Sequence, residues 1–221
     1  MKQSLRRFFQ HSTTSTTTST RICQVLVPFA TGSEDIELSA ITDTLRRAEI
    51  KVILASIESN QIPITLSRGL KIYPDDTLQN LINCKFDAIV LPGGMPGAQL
   101  LSSDSTLSQI LKAHQKDYKL IGAICASPAI ILAQHGLLVG KKNVTCYPTF
   151  AEMMPVSIST ESVAVDTNLI TSQGPAPAIV FALQIVAALK GFYVSEQIGQ
   201  DMLVDPIELE KINKRNITRE I

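Results

Sequence analysis

Three short aliphatic runs constrain this chain more than any other feature. Ile22–Pro28, Ala88–Pro92 and Leu120–Ile124 show almost no polar alternation. A strand of that kind is covered on both faces, as in a parallel sheet flanked by helices. The segments between the runs have helical spacing. Asp35–Ala48 sets Ile36, Leu38, Ile41, Leu45 and Ala48 along one face, with Ser33 or Glu34 placed to cap it. Lys51–Ser56 predicts a second strand, and Ile64–Ser67 with Leu70–Tyr73 a small hairpin turning at Arg68-Gly69. Leu78–Ile82 and Leu107–His114 predict helices, and Pro128–Gln134 begins one directly after Leu120–Ile124. Further along come short strands at Asn143–Cys146 and Leu169–Ser172, a long buried helix at Pro177–Leu189 and another at Val194–Leu203. Strand–helix alternation at these spacings implies an α/β domain, with a mostly parallel central sheet and helices on both faces.

The two ends read differently. Met1–Arg21 holds Lys2, Arg6, Arg7 and Arg21, and no acidic residue precedes Glu34. Ser and Thr crowd Ser12–Thr20, and Leu5, Phe8 and Phe9 flank the arginines. This is the composition of a transit peptide, mitochondrial rather than plastid, with a disordered polar leader and a cytoplasmic protein as the alternative. The domain is then expected over 22–203, followed by a charged tail, 204–221, read as a solvated terminal helix or a frayed end. Formal net charge is zero over 221 residues, which leaves no whole-chain basic field for nucleic acid. The longest apolar stretch, Ala176–Leu189, is too short to span a bilayer and contains Gln184, so no membrane partner is expected. Cys23, Cys84, Cys125 and Cys146 form no C-x-x-C pair and no zinc spacing; reduced thiols and no metal are expected.

In open α/β sheets the ligand crevice lies beyond the carboxyl ends of the central strands. Three segments converge there: Phe29–Glu37, Leu91–Ala98 and Ala123–Pro128. In the last, a strand runs straight into Cys125 and a helix comes directly after, with small residues Ala123, Ala126 and Ser127 around the turn. That is the context of a nucleophile elbow. A helix N-terminus beside Cys125 would lower its pKa and favour the thiolate. A buried structural cysteine is the alternative. The Gly93-Gly94 pair would let a backbone N–H, together with that of Ala126, hold a developing oxyanion. Glu37 lies deeper in its helix than Glu34 and Asp35. Pointing into the crevice, it would be desolvated, its pKa would rise, and it would serve the sulfur as general acid and base. Pointing outward, it would be an ordinary helix acid.

Taken together, Gly32-Ser33-Glu34-Asp35-Ile36-Glu37, Arg46-Arg47-Ala48, Leu91-Pro92-Gly93-Gly94, Ala123-Ile124-Cys125-Ala126-Ser127-Pro128 and Thr171-Ser172-Gln173-Gly174-Pro175 resemble the DJ-one/PfpI superfamily, in its DJ-one (Parkinsonism-associated protein deglycase) branch. The resemblance runs from Ile22 to Leu203. It implies a flavodoxin-like three-layer sandwich, usually a homodimer, with Cys125 as an oxidation-sensitive nucleophile and Glu37 as its protonated partner. It implies the Gly94 and Ala126 amides as the oxyanion site. It also implies cofactor-free conversion of methylglyoxal or glyoxal to the hydroxy acid, repair of early glycation adducts, protection against oxidative stress, and holdase chaperoning. A redox sensor working through Cys125 is the adjacent reading. The chain departs from the family pattern at Tyr147, which occupies the place where close relatives carry a His, in Thr145-Cys146-Tyr147-Pro148. Its hydroxyl would bind substrate or water, but it is a poor base near neutral pH. Cys146 beside it would be an inert strand residue or a partner for oxidised Cys125. His11, His114 and His135 fall at no matching position, so a Cys-His mechanism lacks its base.

Overall fold

The computed structural model describes residues 22–58 and 61–213. The leader segment and the last eight residues, 214–221, lie outside them. The aliphatic runs become the middle of a seven-stranded sheet: β1 (Gln24–Phe29), β6 (Ala88–Leu91) and β7 (Leu120–Ile124). The remaining strands are β2 (Lys51–Ser56), β5 (Asp76–Thr77), β8 (Val163–Asp166) and β9 (Leu169–Ser172), in spatial order β5-β2-β1-β6-β7-β9-β8. Setting aside the two edge strands β5 and β8, this is the 2-1-3-4-5 order of flavodoxin-like folds. All pairs are parallel except β8 with β9, a hairpin in which Val163 faces Ser172. A separate two-stranded hairpin, β3 (Ile64–Thr65) and β4 (Lys71–Ile72), turns through Gly69 at φ 98°.

Helices cover both faces. On one side pack α1 (Asp35–Arg47), α5 (Ala178–Lys190), α6 (Phe192–Asp201) and α7 (Pro206–Asn213). Here Leu38, Ile41 and Leu45 meet Val25, Val27, Phe181 and Ile185. On the other side pack α2 (Leu78–Leu81), α3 (Gly97–Ser103), α4 (Ser105–Lys116) and a six-residue π-helical segment, Pro128–Ala133. There Leu101, Leu107, Leu111 and Ile131 meet Leu26, Ile89 and Ile121.

Four expectations change. Asn143–Cys146 is not a strand: Val144 forms only one isolated bridge, to Ile158. Its Thr145 N–H is satisfied by the Thr171 side-chain hydroxyl rather than by a strand's carbonyl. The segment after Cys125 is π-helical rather than α-helical. Ile36, expected on the core face of α1, is 58% exposed. The charged tail is not merely solvated, because Leu209 and Ile212 of α7 are buried in the α1–α5 core. Among the described residues no helix is long and apolar enough to cross a membrane.

Candidate active site

The crevice opens where the strand order changes direction, since β1 has β2 on one side and β6 on the other. The loop after β1 is pinned to the loop after β6 by the Glu34 N–H, which donates to the Gly93 carbonyl at 3.0 Å. The Glu34 carboxylate caps α1, accepting from the Glu37 N–H at 2.7 Å. Asp35 accepts from Ser67 Oγ and from the Arg68 and Leu70 N–H groups, tying the hairpin turn to the same helix start. Burial works against ionisation of Asp35, but those donors outweigh it and hold its carboxyl below the usual range. With its first turn so fixed, α1 sends Glu37 inward. Glu37 is fully buried, and its Oε2 accepts from the Gly93 N–H at 2.7 Å. Oε1 has no hydrogen-bond partner among the described residues. The Cys125 thiol lies against this carboxyl without forming a well-aligned hydrogen bond to Oε1.

Cys125 sits at φ 63°, in the left-handed region that a side chain with Cβ enters only at a cost. The surroundings over-determine it. Its N–H donates to the Ser172 carbonyl at 2.9 Å, and its carbonyl accepts from the Tyr147 N–H at 2.8 Å. Ser127 Oγ donates to the Pro92 carbonyl, locking the elbow to the end of β6. Gly93 makes the approach possible, because a Cβ there would stand 2.6 Å from Cys125 Cβ and 2.9 Å from Glu37 Oε2.

The electrostatics of the pair arise from burial. Burial pushes the Glu37 carboxyl up to about 7; the Glu34 charge adds to this, while the Gly93 N–H and Cys125 oppose it. Burial also pushes the Cys125 thiol up to about 12, reinforced by the charge of the adjacent Glu37 carboxylate. The Gly94 and Ala126 N–H groups are directed at the sulfur and pull the other way. The expected low-pKa thiolate is therefore not the resting form. Burial of Cys125 beside a carboxylate outweighs two amides and a single turn of π-helix. The two groups titrate as a coupled pair, and Glu37 ionises first.

A sequence profile of the DJ-1/PfpI family matches residues 23–188. The chain belongs to the DJ-1/PfpI family. It is 41% identical over 182 residues to Protein DJ-1 homolog B of Arabidopsis thaliana, covering 82% of this chain and 41% of that protein. The chain thus spans less than half the length of that relative, and 47% of its homolog A. It is 36% identical over 162 residues to the glutathione-independent glyoxalase DJR-1.2 of Caenorhabditis elegans, covering 72% of this chain and 84% of that one. Among solved structures, oxidized Toxoplasma gondii DJ-1 superposes with a TM-score of 0.79 at 40% identity, covering 82% of this chain and 98% of that one.

Within this DJ-1/PfpI site, Cys125, Glu37, Gly94 and Ala126 come together as expected. Gly93 does not act as an oxyanion donor, since its N–H is engaged by Glu37. Tyr147 is joined to Cys125 through its backbone, and its half-exposed ring lies against Gly174. His114 Nε2 donates to the Leu120 carbonyl and His135 Nε2 to that of Ser102, both outside this cluster. Cys146 is buried, which pushes its thiol up. The supporting roles of Ser127, Ser172 and Asp35 have no short-range signature. Each is a contact between segments distant in the chain.

Proposed function

We propose that this chain is a cysteine-dependent, cofactor-free glyoxalase. It converts methylglyoxal or glyoxal to the hydroxy acid and attacks early glycation adducts in the same way, in protection against oxidative stress. The observation that carries this reading is the buried Glu37–Cys125 pair with the Gly94 and Ala126 N–H groups directed at the sulfur. The name of the Caenorhabditis elegans relative supports it.

Above about pH 7 Glu37 is ionised and the thiol is not. The carboxylate takes the thiol proton as sulfur attacks the aldehyde carbon, and the two amides stabilise the charge that forms on the adjacent oxygen. Glu37 returns the proton to that oxygen, giving a hemithioacetal. It then removes the C1 proton to form an enediolate, the C1 hydroxyl proton passes to the C2 oxygen, and Glu37 delivers its proton to C2, leaving a thioester. Water hydrolyses the thioester to lactate and restores the thiol. The net change adds one water. The aldehyde carbon is oxidised as the ketone carbon is reduced, so no external redox partner takes part.

The test is lactate formation from methylglyoxal, without added glutathione, by the wild type and by Cys125→Ser. Activity in the wild type and its loss by at least roughly 100-fold in the variant is expected. Lactate formation by Cys125→Ser at the wild-type rate would remove the sulfur from the chemistry. A second reading is redox sensing, in which two equivalents of peroxide take Cys125 to the sulfinate, held by Glu37 and the amides. The oxidized form of the Toxoplasma gondii relative favours it. A holdase role would survive Cys125→Ser. The same family reading carries a homodimer, checked by light scattering. Met1–Arg21 carries mitochondrial residence, checked by fractionation.

A further inference from the structure

The reacting groups at this site are polar, yet the wall beside them is aromatic. Two main-chain segments flank the Cys125 backbone. Residue 172 accepts from its N–H, and residue 147 donates to its carbonyl. The Tyr147 ring spans the gap between those segments. Its Cδ2 and Cε2 lie 3.3 and 3.7 Å from where a Cβ on residue 174 would stand, and among the described residues, chain neighbours aside, no other atom comes within 4 Å of that point. Gly174 thus leaves a seat into which the ring fits. Behind the ring stands Phe150, at a centroid separation of 6.4 Å and an interplanar angle of 57°, itself packed on the α3–α4 core. This backing holds the tyrosine in place, while 41% of the residue stays open to solvent. Met95, next in the chain after Gly94, is also 46% exposed and adds an apolar side chain on the loop that carries the oxyanion donor.

We propose that Tyr147 is a specificity-determining residue whose ring face binds the substituent of an aryl α-oxoaldehyde. The preferred substrate class is then aryl glyoxals over methylglyoxal. The inference rests on the glyoxalase reading for its chemistry, but the preference itself is a property of Tyr147. With the aldehyde carbon at Cys125 Sγ and the oxygen at the Gly94 and Ala126 amides, the proposed pose runs the substituent toward the two flanking segments, one of which carries Tyr147. A phenyl group placed there offset-stacks or meets the ring edge-to-face, an arrangement a methyl group cannot use. Phenylglyoxal undergoes the same balanced step as methylglyoxal: one water is added and mandelate leaves.

The experiment compares kcat/KM for phenylglyoxal and methylglyoxal in the wild type, Tyr147→Ala and Tyr147→Phe. The wild type is expected to favour phenylglyoxal by about tenfold or more, mainly through KM. Tyr147→Ala should abolish that preference, and Tyr147→Phe should keep it. A ratio unchanged in Tyr147→Ala, or lost in Tyr147→Phe, would overturn the inference. A second arm does not depend on turnover: calorimetric binding of mandelate and lactate to Cys125→Ser, with and without Tyr147→Ala. Tighter mandelate binding that depends on Tyr147 upholds the aryl site even in a protein that turns over neither aldehyde, in which case the glyoxalase reading alone fails. Turnover without any aryl preference in rate or binding leaves the glyoxalase reading standing and removes this one.

Discussion

Burial makes ionisation of both Glu37 and Cys125 harder, and the carboxylate makes that of the thiol harder still, which decides which atom holds the proton. Glu37 in the folded chain has its pKa raised from 4.5 to about 7. Between those two pH values the folded chain keeps a proton that the unfolded chain has lost, so stability falls as pH rises through this window. The full contribution is present below about pH 4.5 and is gone above about pH 7, a difference of about 3 kcal/mol. Urea unfolding at pH 4.5 and pH 7.5 should show this decline in the wild type and lose most of it in Glu37→Gln. Cys125 was legible at this scale, because a nucleophile elbow is a local pattern of strand, small residues and turn. The inward turn of Glu37 was one of two orientations the local sequence left open, and the family resemblance favoured it. Helical spacing put Ile36 on the core face, and only Gly93, 56 residues away, supplies the N–H that makes burying an acid tolerable. The thiol pKa was misjudged for the same reason: the helix end is visible in the sequence, whereas the neighbouring carboxylate is visible only in the fold.

At the scale of elements, the site depends on three loop starts held at close quarters. Gly93 is the tightest point. Gly93→Ala would drive a methyl into Cys125 and Glu37, and a cost of about 1–3 kcal/mol is expected from overpacking, read as a lower urea midpoint. The same variant should lose most of its turnover, because Glu37 and Cys125 can no longer both hold their places. Strands β1, β6 and β7 were legible because full burial writes them as unbroken aliphatic runs. The edge hairpin strand β8 (Val163–Asp166) was not, since it is only four residues long and half of it is only partly buried. Helix α3 escaped as well: it begins at Gly97 inside what reads as a glycine-rich loop. Asn143–Cys146 had the composition of a strand, but composition does not show that the Thr145 N–H finds the Thr171 hydroxyl, 26 residues away, instead of a neighbouring strand.

Over the whole molecule, the two layers of helices hold the sheet so that its carboxyl edge presents the site. The domain extends past the boundary expected at residue 203. Helix α7 buries Leu209 and Ile212 against α5 and α6, and Gly199 lies so close that a Cβ there would sit 2.4 Å from Leu209 Cδ2. Leu209→Ala should therefore cost about 2–4 kcal/mol by urea unfolding, whereas a solvated tail would cost nothing measurable. The charge pattern of 204–221 hid this, because two aliphatic residues suffice to dock a short helix whose other faces are acidic and basic. The central claim remains the proton exchange between Glu37 and Cys125. Its most direct test is the pH profile of kcat/KM for lactate formation from methylglyoxal between about pH 5 and 9, in the wild type and Glu37→Gln. The expected wild-type profile rises through about pH 7 to a plateau, and Glu37→Gln falls by at least roughly 100-fold at every pH. A rate that climbs only with ionisation of the thiol, or a Glu37→Gln variant that keeps the wild-type profile, would contradict it.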